Sequence, residues 1–71
     1  KVAVTRFNSL DESGSNQSFS LAALDGRNNG YVLTGLYLRD NVRFYIKPIE
    51  RGAPKYKLSK EEEETLEKAK K

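Results

Sequence analysis

Tyr31-Val-Leu-Thr-Gly-Leu-Tyr-Leu38, followed after Arg39-Asp40-Asn41 by Val42-Arg-Phe-Tyr-Ile-Lys-Pro-Ile49, decides the fold. β-Branched and aromatic residues dominate both runs, and Asp and Asn tolerate the positive φ that a tight hairpin turn demands. The pair reads as an antiparallel hairpin with strands over about 31–39 and 42–49. With Asp40-Asn41 as a two-residue loop, Arg39 stands opposite Val42, Tyr37 opposite Phe44 and Gly35 opposite Ile46. The reverse face then carries Leu38 opposite Arg43, Leu36 opposite Tyr45 and Thr34 opposite Lys47. Alternation separates Val42, Phe44 and Ile46 from Arg43, Tyr45 and Lys47. The first set is wholly apolar and is expected to face the core, and the second is expected to face solvent.

Two further strands precede the hairpin. Val2-Ala-Val-Thr-Arg-Phe-Asn8 is strand-like by residue type, but it alternates poorly, which suits a strand covered in part on both faces. Ser18-Phe-Ser-Leu-Ala-Ala-Leu-Asp25 alternates better, with Phe19, Leu21 and Ala23 on one side and Ser18, Ser20 and Ala22 on the other. The small residues of that second side leave room for a helix or another chain to come close. The polar run Ser9-Leu-Asp-Glu-Ser-Gly-Ser-Asn-Gln17 between these strands reads as a loop. Asp25-Gly-Arg-Asn-Asn-Gly30 combines two strong turn signals. Its one acid, Asp25, falls short of the alternating acidic and amide ligands of a calcium loop.

Pro48 cannot donate to a ladder, so the second hairpin strand is expected at an edge or near its end. Glu50-Arg-Gly-Ala-Pro54 is a connector, and Lys55-Tyr-Lys-Leu58 returns to extended chain with Tyr56 and Leu58 as anchors. Ser59-Lys-Glu-Glu62 is a capping box that opens a helix over about 60–70. Glu61–Glu64 gather at its positive end and Lys68, Lys70 and Lys71 at its negative end. Glu64–Lys68 and Glu67–Lys71 have the favourable four-residue spacing. The expected fold is therefore α+β, one small domain over residues 1–71. Its antiparallel sheet has about four strands (about 2–8, 18–25, 31–39 and 42–49) with a central hairpin and one C-terminal helix.

Composition narrows the chemistry. Hydrophobic residues make up 37% and charged residues 32% of a 71-residue chain, which allows only a thin core. There is no apolar run of the roughly 18 residues that a membrane span needs. The chain starts at Lys1 rather than Met, as expected of an excised or processed fragment, and its opening segment lacks the apolar core of a signal peptide. Net charge is +3: residues 1–58 hold nine basic and five acidic side chains (+4), residues 59–71 four and five (−1). Cysteine and histidine are both absent, which removes thiolate nucleophiles, imidazole bases, disulfides and the usual zinc ligands together. No metal, cofactor or catalytic residue is expected, and the chain does not read as an enzyme.

Several phrases in order carry a resemblance. They are Arg6-Phe7-Asn8, Gln17-Ser-Phe-Ser-Leu-Ala-Ala-Leu-Asp25, Leu36-Tyr37 with Arg39-Asp40, Arg43, Tyr45 with Lys47-Pro48, and Leu58-Ser59 before a Glu run. This succession resembles the C-terminal domain of a bacterial, membrane-anchored protein family of unknown function, often encoded near chromosome-partitioning genes. The resemblance covers nearly the whole chain from Arg6 onward. It implies a soluble domain at the cytoplasmic face of the membrane, touching the bilayer only through an anchor outside this chain. Leu38 stands where the pattern has glycine, and Phe44 and Ile46 where it has smaller residues, so this hairpin is greasier.

The resulting functional expectation is a non-catalytic interaction or assembly module that binds a protein partner or another copy of itself. Arg39, Arg43, Tyr45 and Lys47 are the candidate binding residues. Arg43, Tyr45 and Lys47 also set two cations around an aromatic ring, as in weak single-strand nucleic-acid binders. The lack of a basic helix and of a large positive excess disfavours nucleic acid. As a solvent-facing row, Arg43 and Lys47 should tolerate charge reversal without loss of folding.

Overall fold

A computed structural model of the chain describes residues 1–7, 18–37 and 41–70. The strands β1 (Val2–Phe7), β2 (Ser18–Leu24), β3 (Gly30–Tyr37), β4 (Val42–Glu50) and β5 (Ala53–Pro54) precede one helix, α1 (Lys60–Lys70). The strands form a single antiparallel meander in chain order. The small antiparallel sheet with one C-terminal helix is the expected architecture, with five strands in place of about four. The Ser9–Gln17 loop, Leu38, Arg39 and Asp40 lie outside the described residues.

The added strand comes from a tight turn. Arg51 and Gly52 both adopt left-handed backbone, with φ of 52° and 79°. Two such residues in succession fold the chain back into a hairpin whose twist matches the sheet, pairing Glu50 with Ala53 and Ile49 with Pro54. Arginine seldom adopts positive φ, so Arg-Gly gave no hairpin signal. The turn is tied to the Asp25–Gly30 turn beside it. The Arg51 N–H donates to Asn29 Oδ1 at 2.8 Å, and the Gly52 N–H donates to the Asn28 carbonyl at 2.8 Å. Over the rest of β4 the side away from β3 is unpaired by strands in the described residues, and Pro48 sits where that edge begins.

The central hairpin is two residues out of its expected register. Tyr37 faces Val42, Gly35 faces Phe44, Leu33 faces Ile46 and Thr34 faces Tyr45. Gly35 explains the shift. It stands between Phe19 on β2 and Phe44 on β4, and a Cβ there would lie 2.6 Å from the Phe19 ring and 3.1 Å from the Phe44 ring. The missing side chain lets the two aromatic rings approach over it, which Ile46 opposite Gly35 would not achieve. A shift of two keeps every side chain on its original face.

Helix α1 crosses β1 and β2, and to a smaller extent β3. Ala22, Leu24, Val32, Ile49, Leu58, Leu66 and Ala69 form the buried apolar cluster beneath it, with Ala3 at its margin. Ser18, Ser20, Thr34, Glu62 and Thr65 are buried alongside. The helix settles here because three of the four side chains that β2 turns toward it, Ser18, Ser20 and Ala22, are small enough for close approach, and the fourth, Leu24, joins the core at the strand's end. Its start is the capping box: the Glu62 N–H donates to Ser59 Oγ at 3.2 Å and the Ser59 N–H to Glu62 Oε1 at 2.8 Å. Glu67 pairs with Lys70 at 3.1 Å, and Lys68 donates to Thr5 Oγ1 on β1 at 3.2 Å.

Two substitutions test this account. Ser59→Ala removes the acceptor for an orphan amide and should cost about 1 kcal/mol, read as a lower urea midpoint. Gly30→Ala should cost more, about 1–3 kcal/mol, because a Cβ there would overlap the Ala23 carbonyl of the paired strand. An unchanged midpoint in Gly30→Ala would refute the close β2–β3 approach.

Candidate interaction surface

The two faces of the sheet have opposite characters. Pairing places Ala3, Ala22, Val32 and Lys47 in one row beneath α1, and Thr5, Ser20, Thr34 and Tyr45 in the next. These side chains are mostly small or polar. On the reverse face the corresponding rows are Val4, Leu21, Leu33 and Ile46, then Arg6, Phe19, Gly35 and Phe44.

The expectation that Val42, Phe44 and Ile46 form the core is overturned. They remain 46%, 64% and 63% exposed, whereas Ile49, which shares the parity of Tyr45 and Lys47, is 2% exposed and belongs to the core. The helix chose its side by available depth. Small residues on β1 and β2 admit a helix backbone, but Phe19, Leu21 and Leu33 on the other face would hold it away. Val2, Val4, Tyr31 and Tyr37 are exposed on that same open face. Phe19, Leu21 and Leu33 are only half-buried.

The expected binding row lies on the helix side of β4. Arg43 and Tyr45 are exposed there, opposite Leu36 and Thr34. Lys47 is half-buried, and its ammonium donates to Glu62 Oε1 at 2.9 Å and to the Lys57 carbonyl at 3.0 Å. The structure thus brings Arg43, Tyr45 and Lys47 onto one face, with Lys47 engaged inside the fold and Arg39 outside the described residues. Reversing charge at Lys47 would set a carboxylate against Glu62, so the expected tolerance of that change does not hold. Tyr45 and Lys47, with Phe7, Thr34, Leu36, Ser59, Glu61 and Glu62, line a cleft of about 300 Å³ beside the start of α1.

Glu62 is the residue whose wider role the sequence reading missed. Only 2% exposed, it accepts from Lys47 and from the Ser59 N–H at Oε1, and from Thr34 Oγ1 at Oε2 at 2.5 Å. Because a carboxylate only accepts, Thr34 must spend its proton on Glu62. Ser20, 2.9 Å from Thr34 Oγ1, is then the donor to Thr34. The capping box signalled one of these contacts, while those from β3 and β4 needed the fold. Burial pushes the Glu62 carboxyl up, but the hydrogen bonds from Lys47, Thr34 and the Ser59 N–H outweigh it and hold the group below its ordinary value. Asp25 is also held low, by the N–H groups of Asn29 and Arg27 that its Oδ1 accepts. Among the described residues, no group of three or more acidic side chains is disposed to hold a metal ion, and no helix is long and apolar enough to cross a membrane.

These features define a class, a small antiparallel meander backed by one helix, with its opposite face open and apolar. The chain belongs to the DUF4446 family, described as a protein of unknown function, whose model matches residues 1–70. No curated protein and no solved structure matches the chain.

The lowered carboxyl gives a pH signature. A group held low in the folded state stabilises the fold above the ordinary glutamate value of about 4.3 and loses that contribution as pH falls below it. Glu62→Gln should lower stability at neutral pH by about 2 kcal/mol. The gap from the parent should then narrow on acidification from about pH 5 to pH 3. Urea titrations across that range check it, and a gap independent of pH would remove the ionised carboxylate from the account.

Proposed function

We propose that the domain is a non-catalytic protein-interaction module that works through the open apolar face of its sheet. The observation that carries this reading is the exposure of Phe44 and Ile46 at 64% and 63% among apolar neighbours. Taking about 150–250 Å² per aromatic side chain and somewhat less for Val and Ile, the seven exposed apolar residues of this face leave roughly 650 Å² open to water. The largest apolar patch on an ordinary monomer is about 300–600 Å², and larger ones mark interaction sites. Catalysis finds little support in a chain without histidine or cysteine, whose buried Glu62 is occupied by three donors. Single-strand nucleic-acid binding through Arg43, Tyr45 and Lys47 is the weaker reading, because the Lys47 ammonium is spent on Glu62. The reading also takes from the family resemblance a membrane-tethered parent protein, its anchor outside these residues, with the module on the cytoplasmic face.

The double substitution Phe44→Thr with Ile46→Thr tests it. At high dilution, where copies are separate, the change should shift unfolding by no more than about 1 kcal/mol per site, the size of a cross-strand pair such as Phe19 with Phe44 over Gly35. Binding of a hydrophobic dye such as anilinonaphthalene sulfonate should fall several-fold. A loss of about 2–5 kcal/mol per site, the cost of emptying a core position, would mean that these side chains are interior, and the reading would fail.

A further inference from the structure

We propose that the occupant of the open face is a second copy of this chain, packed sheet against sheet; this rests on the reading above and names its partner. The first argument is area. A standard stable interface takes about 800 Å² from each partner. The exposed apolar side chains of this face offer roughly 650 Å², before the half-buried Phe19, Leu21 and Leu33 are added. One face of one small domain therefore holds nearly a full subunit's share of a dimer interface.

The second argument is the kind of surface. Across β2, β3 and β4, the rows Val4–Leu21–Leu33–Ile46 and Phe19–Gly35–Phe44 carry no charge, and Arg6 stands at the β1 edge. A partner chosen by charge would have nothing to read in the middle of this face. A two-fold pairing asks only that the patch fit itself, and an uncharged patch can lie on its own copy without like-charge repulsion. The basic side chains of Arg43 and Lys47 point to the helix side and stay clear of it.

The third argument is where the apolar bulk lies. The interior beneath α1 contains Ala22 and Ala69 among its seven buried apolar residues. The other five are Leu24, Val32, Ile49, Leu58 and Leu66, and the open side carries an apolar set at least as large in Phe19, Leu21, Leu33, Phe44 and Ile46. A second sheet about 10 Å away, with strands inclined by about 30°, would give that bulk an interior and make the assembly four layers, helix–sheet–sheet–helix.

Sedimentation equilibrium of the chain over a wide concentration range tests the proposal, with Ile46→Glu and Arg43→Glu as variants and dye binding measured in parallel. The parent should pass from monomer to dimer, Arg43→Glu should behave like the parent, and Ile46→Glu should weaken dimerisation at least about a hundred-fold while keeping its circular dichroism. The natural absence of cysteine allows a second readout that does not depend on the glutamate variant folding. Of single cysteines at Leu33→Cys, Ile46→Cys and Lys60→Cys, one or both of the first two should cross-link between copies under a short bifunctional reagent, and the third should not. A dimer that survives Ile46→Glu, or that cross-links only through Lys60→Cys, overturns the proposal. A parent that stays monomeric yet binds dye overturns it too, but leaves the interaction reading standing with another occupant. A parent that stays monomeric and binds no dye defeats both.

Discussion

The Glu62 carboxylate ties the start of the helix to β3 and β4, and through Thr34 to β2. It closes the capping box at Ser59, receives the Lys47 ammonium from β4, and terminates the hydroxyl relay from Ser20 through Thr34 on β2 and β3. A buried charge is costly unless it is fully hydrogen-bonded, and here every donor comes from a different segment. The interaction therefore acts as a coordinate system. It sets how far along the sheet the helix begins, and so which apolar residues of α1 meet Ala22, Val32 and Ile49. No buried side-chain polar atom among the described residues lacks a partner.

That polar anchor sits beside a modest apolar cluster, and the two facts are linked. Small and hydroxylated residues on β2 admit the helix closely, but they bury little apolar surface. Larger side chains under the helix would bury more and would hold the helix away from Thr34, breaking the relay. The sheet answers by sending its bulk to the other side, where Phe19 and Phe44 close over Gly35. The open apolar face is in this sense the counterpart of the polar anchor.

The alternation of residues 31–49 and the Ser59–Glu62 box made the hairpin and the helix start readable from sequence. The choice of face was not readable, because the wholly apolar set Val42, Phe44 and Ile46 looks like an interior when β4 is considered alone. What decided it was the depth of the neighbouring strand: Ser18, Ser20 and Ala22 belong to β2, and no local pattern in β4 records them. The register was misjudged for a similar reason, since Gly35 gains its meaning from Phe19, sixteen positions earlier, rather than from the Asp40-Asn41 turn. β5 went unseen because Arg51 takes a backbone conformation that its residue type does not advertise. In the candidate site, Arg43, Tyr45 and Lys47 were correctly grouped on one side. The demand of Glu62 for Lys47 arises only once the helix has docked.

The two ends of the described chain meet at one corner. The Lys1 amino group donates to the Leu24 carbonyl at 2.6 Å, and its side chain reaches Asn28 and, at 3.4 Å, the Lys70 carbonyl. Chain order and spatial order are therefore separable in this fold. A short bridge from the end of α1 to β1, with the backbone opened at a surface turn instead, would preserve every strand pairing and the Glu62 anchor. The strand pairings and the Glu62 anchor therefore constrain the fold more than the order in which the chain visits its elements.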